Sequence, residues 1–192
     1  MAYDSTATKE RILSAASSEF AAYGVAGARV DRIAANAKAN KRAIYDYFGD
    51  KNALFAAVLQ RLMADLAEAV PPDADADLGS YSATLYDYHR THPEALRLLL
   101  WEALEFGADQ VPDEDARTQH YLDKLRATET TATGTDDPRA LLFFTMGLVG
   151  WSLAMPQLRR MVLGPDYTLD QLRTAVSSAV RTLSGTPSGP QV

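Results

Sequence analysis

The sequence contains no cysteine among its 192 residues. This absence excludes disulfide bonds, thiolate metal sites and cysteine nucleophiles, and it is typical of a protein in a reducing cytosol. The first residues lack the basic segment and apolar run of a secretory signal peptide. The most apolar stretch, ALLFFTMGLVGWSLAM, is shorter than a usual membrane span. We therefore expect a cytoplasmic protein that has no membrane partner.

Residues that commonly carry out catalysis are also scarce. The sequence shows no Ser-His-Asp spacing, no phosphate-binding loop and no glycine-rich nucleotide fingerprint. His89 and His92 are three residues apart and close to Asp87, which is a spacing that a metal pair could use. We instead interpret His92 as a cap of the helix that begins at Pro93. The sequence predicts no enzyme, no cofactor and no metal site.

No alternation typical of β-strands is sustained anywhere, whereas apolar residues recur at helical spacing. Ile12, Ala16, Phe20 and Tyr23 form such a stripe in the first segment, which should end at Gly24. Asn40 and Asp50 are expected N-caps, and Thr168 with Gln171 forms an expected capping box. The sequence thus predicts an all-α fold. The expected helices cover about 9–23, 30–37, 41–47, 51–70, 80–91, 94–107, 113–130, 138–161 and 169–184.

The charge is distributed unevenly along this acidic chain, whose net charge is −6 and whose pI is about 5.0. Residues 1–60 carry a net charge of +2, and the remainder carries −8. Within the first part, the stretch KANKRAIYDYFGDK places Lys38, Lys41, Arg42 and Lys51 among aromatic residues. This asymmetry indicates an N-terminal end that faces a polyanion.

The basic stretch has the pattern of a helix-turn-helix, in which a second short helix reads DNA. Four polar residues share one side of that helix, which we call the outer face: Lys41, Arg42, Tyr45 and Asp46. The opposite side is suited to packing: Ala43, Ile44, Tyr47 and Phe48. Arg42 can bind guanine O6 and N7 with both arms. Tyr45 can contact a thymine methyl group, and Asp46 can accept from cytosine while repelling phosphate. The alternative is a solvated cluster of charges.

Residues 9–59 resemble the DNA-binding domain of the TetR/AcrR family of bacterial repressors. The resemblance lies in Ala16 to Phe20, Gly24, Val30 to Ala34, Tyr45 to Phe48 and Lys51 to Leu54. It implies that Tyr47 and Lys51 bind phosphate, whereas Lys41, Arg42 and Tyr45 face the major groove. It also implies an N-terminal three-helix domain at residues 1–50. A helical effector-binding and dimerisation domain would follow at 51–184, with a disordered tail at 185–192.

Three positions depart from the family pattern. Ala28 and Arg29 stand where Thr or Ser usually caps the second helix, so the cap is lost and Arg29 is free to bind phosphate. Lys38 replaces the turn glycine, so the turn is either strained or rebuilt around Asn36. Arg42 and Asp46 occupy positions that Gly and His often fill in the family. The operator sequence can therefore not be transferred from relatives.

The segment from Leu141 to Met155 has apolar residues on every side, so it should be buried all round. Its own domain covers one side, and a second subunit would cover the other. The alternative is a monomer with a crowded core, because the periodicity alone fits both. The expected dimer interface consists of Leu141, Phe144, Leu148, Trp151, Leu172, Val176 and Leu183.

Glu102 falls on the apolar side of its predicted helix, where an unpaired carboxylate is costly. It snorkels outward, pairs with an arginine such as Arg126, or lines a pocket for a cationic, partly apolar effector. The expected pocket residues are Tyr86, Trp101, Glu102, Phe106, Tyr121 and Trp151.

These patterns together predict a homodimeric, ligand-responsive transcriptional regulator. It would repress by binding double-stranded operator DNA and would be released by a small molecule. The alternative is a helical small-molecule-binding or scaffold protein without specific DNA binding, which the departures at Arg29 and Lys38 leave open.

Overall fold

The computed structural model describes residues 5–71, 77–129 and 137–185, and every regular element in these ranges is an α-helix. The predicted all-α fold is therefore confirmed. The predicted tail lies outside the described residues apart from Gly185. The helices of the described ranges are α1 (Ser5–Gly27), α2 (Val30–Ala37), α3 (Lys41–Phe48), α4 (Lys51–Ala69), α5 (Leu78–Thr91), α6 (Pro93–Phe106), α7 (Glu114–Glu129), α8 (Pro138–Ala154), α9 (Pro156–Leu163) and α10 (Leu169–Leu183).

Three helices begin with the side-chain caps that the sequence predicted. Asn40 Oδ1 accepts the backbone N–H of Arg42 at 2.8 Å. Asp50 Oδ1 accepts the backbone N–H of Ala53 at 2.8 Å. Thr168 and Gln171 form both halves of the capping box that begins α10. These caps satisfy N–H groups that have no partner inside their own helix.

The single helix that we expected over 138–161 is wrong. The chain breaks at Met155, and α8 and α9 meet at a bend of 88°. Pro156 causes the break, because it has no N–H to donate and its ring collides with the carbonyl four residues earlier. That carbonyl belongs to Ser152, and it lies 3.5 Å from the donating guanidinium of Arg159.

The first helix is also longer than predicted, because it does not stop at Gly24. Gly24 has φ 67° and ψ −179°, which interrupts the helix, and the chain then makes a further turn to Gly27. The carbonyl of Gly24 accepts the N–H of Ala28 at 3.1 Å. Glycine tolerates this backbone conformation because it has no Cβ.

Among the described residues, no single helix is long and apolar enough to cross a membrane. The bent pair α8 and α9 passes such a test of length and composition only when the two helices are taken together.

The described chain forms two compact units. Unit 1 comprises Met1–Asp65 and Pro93–Glu114, so α6 belongs to it together with α1 to α3 and most of α4. Phe20 and Phe55 meet edge to face at 5.0 Å in its core. The side chains buried with them include Ile12, Ala16, Ile33, Ile44, Leu54 and Val58.

Two side chains of α6 fix that helix to α1 inside unit 1. Arg97 Nε donates to the carbonyl of Ala21 at 2.7 Å, and the indole N–H of Trp101 donates to the same oxygen at 3.3 Å. The Trp101 ring lies directly on Gly24, where an added Cβ would be 2.7 Å from Trp101 Cε3. Gly24 therefore serves both the backbone break and the close approach of α6.

Unit 2 comprises Leu66–His92 and Asp115–Val192. Its apolar cluster contains Leu78, Leu141, Leu142 and Val180 from α5, α8 and α10. Helices α5 and α10 are also joined by polar contacts. The guanidinium of Arg173 donates to both carboxylate oxygens of Asp87 at 2.9 Å.

Candidate nucleic-acid interface

Helix α3 has the two faces that the sequence predicted. Ile44 is 1% exposed and anchors the helix in unit 1. The side chains of the packing side are buried or half-buried, whereas all four residues of the outer face are exposed. A short helix with one anchored face and one polar face is suited to entering a DNA groove.

The turn between α2 and α3 is built on Lys38 itself. Lys38 has φ 50° and ψ 43°, in the left-handed region, so of the two alternatives for this turn the strained one is correct. The N–H of Ala39 donates to the Ala34 carbonyl at 3.0 Å, and that of Lys38 donates to the Ala35 carbonyl at 3.2 Å. This pair of bonds is the Schellman ending of a helix. Asn36 is exposed and helical, so it does not rebuild the turn.

The start of α2 has no side-chain cap, as expected from Arg29 at this position. A buried carboxylate compensates in part, because Glu19 Oε1 accepts the backbone N–H of Arg29 at 2.8 Å. Arg32 also donates to Glu19, from Nε at 2.8 Å. Burial alone would raise the pKa of Glu19, but the hydrogen bonds from Arg32 and Arg29 and their charges bring it below its usual value. The Arg29 side chain is exposed.

Glu19 was not among the residues that the sequence predicted for this region. Its signal was its place on the apolar stripe of α1, between Ala16 and Phe20. A carboxylate on such a stripe requires a partner, and that partner came from a helix that follows later in the chain.

Tyr47 and Lys51, which the family resemblance assigns to phosphate, are half-buried. The ammonium of Lys9 lies 5.2 Å from the centre of the Tyr47 ring. The Lys51 ammonium donates to the carbonyls of Ala26 and Ala28 at 3.5 and 3.4 Å. Lys51 thus connects the start of α4 to the segment before α2 in the free protein.

Two ion pairs involve the cations of the outer face. Lys41 Nζ lies 2.8 Å from Asp31 Oδ1, which belongs to the first turn of α2. Arg42 Nε lies 3.8 Å from Asp46 Oδ2, one helical turn further along α3. The hydrogen bond between Lys41 and Asp31 lowers the pKa of the carboxyl group and raises that of the ammonium group.

An open groove in unit 2 brings together most of the residues expected at a dimer interface. It has a volume of about 610 Å³ and is lined by α8 and α10. Leu172 and Val176 form its nearly buried floor. Leu141 does not line it, because this side chain is 4% exposed and belongs to the apolar cluster of unit 2. The other expected residues line the groove and are exposed: Phe144, Leu148, Trp151 and Leu183.

The residues expected in an effector pocket are divided between the units. Trp101, Glu102 and Phe106 lie on α6 in unit 1, where Glu102 is 6% exposed and Trp101 packs on Gly24. The other three belong to unit 2: Tyr86, Tyr121 and Trp151. The grouping of these six residues into one pocket stays a prediction from the sequence.

Unit 2 contains several buried polar side chains of its own. The fully buried Tyr86 donates its hydroxyl hydrogen to the Leu169 carbonyl at 3.0 Å. Lys124 donates to the Val70 carbonyl at 3.4 Å and the Tyr81 hydroxyl at 3.1 Å, and burial lowers its pKa to about 8.

His89 lies on α5 and His92 directly follows this helix, and the two rings have different surroundings. The His92 ring stacks on Tyr88 at 4.5 Å, and its Nδ1 lies 3.0 Å from the Tyr88 carbonyl. His92 therefore caps the end of α5, and our interpretation as a cap of the following helix is wrong. Burial lowers the pKa of His89 to about 4. Within the described ranges, no group of three His, Asp or Glu side chains converges to hold a metal ion.

Two family models match this chain, and together they cover most of its length. The family model described as "Bacterial regulatory proteins, tetR family" matches residues 12–58, and "Tetracyclin repressor-like, C-terminal domain" matches 77–182. The chain is 44% identical to the HTH-type transcriptional repressor SCO4008 of Streptomyces coelicolor, over 94% of this chain and 96% of that protein. It is 36% identical to the repressor NicS of Pseudomonas putida, over 52% of this chain and 50% of NicS.

Solved structures show the same fold. The transcriptional regulator SCO4942 of Streptomyces coelicolor superposes with a TM-score of 0.79 at 33% identity, over 92% of this chain and 97% of that one. AibR, solved with isovaleryl coenzyme A and operator DNA, superposes with a TM-score of 0.65 at 20% identity, over 90% and 97%. With both family models matched and a close relative aligned along nearly its whole length, the chain belongs to the TetR family of bacterial transcriptional regulators.

Proposed function

We propose that this protein is a homodimeric repressor that binds operator DNA through the outer face of α3 and leaves it when a small molecule binds. The proposed DNA binding is supported by the exposed outer face of α3, whose opposite side is anchored by Ile44. The relative SCO4008 is named a repressor, which supports the direction of regulation. A scaffold without DNA binding is not favoured, because the departures at Arg29 and Lys38 do not prevent the helix-turn-helix from forming: Glu19 accepts the N–H of Arg29, and Lys38 adopts the left-handed turn.

Within this proposal, Arg42 reads a base in the major groove. Its side chain is 87% exposed, and its only described ion-pair partner is Asp46 on the same helix. Tyr45 and Asp46 lie beside it on the outer face. Arg29, Tyr47 and Lys51 would contact the DNA backbone, although Lys51 must then exchange its carbonyl partners for phosphate.

Arg42→Ala is expected to weaken operator binding by about 1–3 kcal/mol and to relax base preference, because a bidentate base contact is lost. A mobility-shift titration of the DNA upstream of the protein's own gene, followed by footprinting and single-base substitutions, measures both effects. Failure of the wild-type protein to bind any such fragment specifically would favour the scaffold alternative.

Arg42→Lys is the matched control, because it keeps the positive charge but cannot form the two-armed contact. It should lose base preference as Arg42→Ala does, while the dependence of affinity on salt stays that of the wild type. If Arg42→Ala leaves base preference unchanged, the outer face is wrongly assigned to the groove.

The apolar groove of unit 2 supports a homodimer. Exposed aromatic and aliphatic side chains of Phe144, Leu148, Trp151 and Leu183 form one continuous surface with the floor of the groove. Exposed apolar patches of this kind mark interaction sites. We propose that a second copy of this chain occupies the groove, because a TetR-type regulator needs two recognition helices to contact successive major grooves.

The effector proposal rests on Glu102, a carboxylate that α6 holds almost fully buried. Charge attraction is stronger in a desolvated position than in water, so a cationic, partly apolar molecule is the ligand class we propose.

Glu102→Gln is expected to weaken the release of operator DNA by lipophilic cations, because it removes the charge while keeping the shape of the side chain. Fluorescence anisotropy of labelled operator measures release, and quenching of Trp101 and Trp151 reports binding. Glu105→Gln is the control, since Glu105 is an exposed carboxylate on the same helix. Release by neutral or anionic compounds, with no response to cations, would contradict the proposed ligand class.

A further inference from the structure

Asp31 places a carboxylate at the edge of the candidate DNA interface. It lies in the first turn of α2, and its side chain is 72% exposed although it holds Lys41 at 2.8 Å. The contact joins the two helices of the helix-turn-helix. Its hydrogen bond lowers the pKa of Asp31, so the carboxylate is charged at neutral pH.

With Asp31 included, the two ion pairs at the outer face cancel in formal charge. Lys41 and Arg42 contribute two positive charges, and Asp31 and Asp46 contribute two negative charges. Each of these cations therefore has an acidic partner in the free protein. A phosphate that approaches Lys41 or Arg42 meets a carboxylate beside it, whereas the exposed Arg29 stays outside the two pairs.

This arrangement affects binding to random and specific DNA differently. Binding without sequence preference depends almost entirely on attraction between cations and phosphates. Asp31 repels phosphate and pairs with Lys41, so it should weaken this non-specific binding with no gain to offset the loss. If this ion pair persists when operator DNA is bound, Asp31 would also fix the direction of the Lys41 side chain, which would lower the entropy cost of placing it in the groove. This positioning of Lys41 would partly offset the repulsion between Asp31 and the phosphates of the operator.

We propose that Asp31 is a specificity-determining residue, whose carboxylate lowers the affinity for DNA of unrelated sequence more than the affinity for the operator. The inference rests on the proposed DNA-binding function of α3. It assigns to α2 a role in discrimination, in addition to the repulsion of phosphate expected from Asp46 on α3.

Asp31→Asn tests the inference, because it removes the charge at nearly constant shape. We expect the affinity for a scrambled duplex to rise about three- to tenfold per dimer, given the modest strength of exposed ion pairs. The affinity for the operator should rise less, so the ratio of the two affinities falls. Anisotropy titrations of both duplexes at several salt concentrations measure these changes.

Asp65→Asn is the matched control, because Asp65 forms an exposed ion pair with Arg61 one turn away on α4. It changes the net charge equally but is not part of the outer face. In the double variant Asp31→Asn with Lys41→Gln, the gain on scrambled DNA should disappear.

An equal rise on both duplexes, or a rise no larger than that of Asp65→Asn, would overturn the role of Asp31. Neither result would affect the proposed function, because the wild-type protein would still prefer its operator. Absence of any operator preference in the wild type would instead refute the function itself. The two failures are therefore distinguishable in one set of titrations.

Discussion

Replacing Gly24 by alanine is expected to lower the free energy of unfolding by about 2–6 kcal/mol, as measured by urea denaturation. Two costs add. A backbone at φ 67° and ψ −179° is nearly restricted to glycine, and forcing another residue into it costs about 1–3 kcal/mol. The new Cβ would also lie 2.7 Å from Trp101 Cε3, so α6 or the ring must shift, at a further cost of about 1–3 kcal/mol.

Gly107→Ala separates the two costs. Gly107 has φ 57° and lies in the same unit, but an added Cβ there would have no neighbour within 4 Å. Gly107→Ala should therefore lower the free energy of unfolding only by the cost of backbone strain. A second check is Trp101→Ala, which should cost less in the Gly24→Ala background than in the wild type, because the clash is then removed. Equal losses for Gly24→Ala and Gly107→Ala would show that the ring contact is not rigid.

If the proposed dimer forms through the groove, replacing Leu148 by arginine is expected to convert it into monomers and to weaken operator binding by about a hundredfold or more. A guanidinium without a partner cannot be buried in the proposed apolar interface. A monomer presents one recognition helix, so it loses the second, linked binding event. Sedimentation velocity at micromolar concentration measures the first effect, and anisotropy with labelled operator measures the second.

Leu104→Arg is the control for surface charge. Leu104 is 74% exposed on α6 and does not line the groove. Its replacement should leave the assembly dimeric. A wild-type protein that sediments as a monomer at micromolar concentration would refute the proposed interface. Retention of the dimer by Leu148→Arg would move the interface to another surface.

Features set by neighbouring residues could be predicted from the sequence. The two faces of α3 follow from helical periodicity, and the caps at Asn40, Asp50 and Thr168 each use a backbone N–H within three residues. The residue types that favour these short-range contacts are well known. The all-α fold follows from the same kind of signal.

Features that depend on distant or competing contacts were missed. The indole N–H of Trp101 donates to the carbonyl of Ala21, 80 residues earlier in the sequence. The ammonium of Lys51 donates to carbonyls that lie 23 and 25 residues earlier. Periodicity carries no signal for such pairs. The break at Pro156 was missed for another reason, because the apolar pattern continues through it and was given more weight than the missing N–H.

The attachment of α6 to α1 also constrains how this protein can be divided. Because Pro93–Glu114 completes unit 1, a fragment that ends at residue 65 lacks the helix that covers Gly24. A hybrid regulator made by joining the first 65 residues to a foreign effector domain would therefore need a matching α6 from that domain. During synthesis, likewise, the first 65 residues emerge before α6, so unit 1 becomes complete only with a segment that is translated after α5.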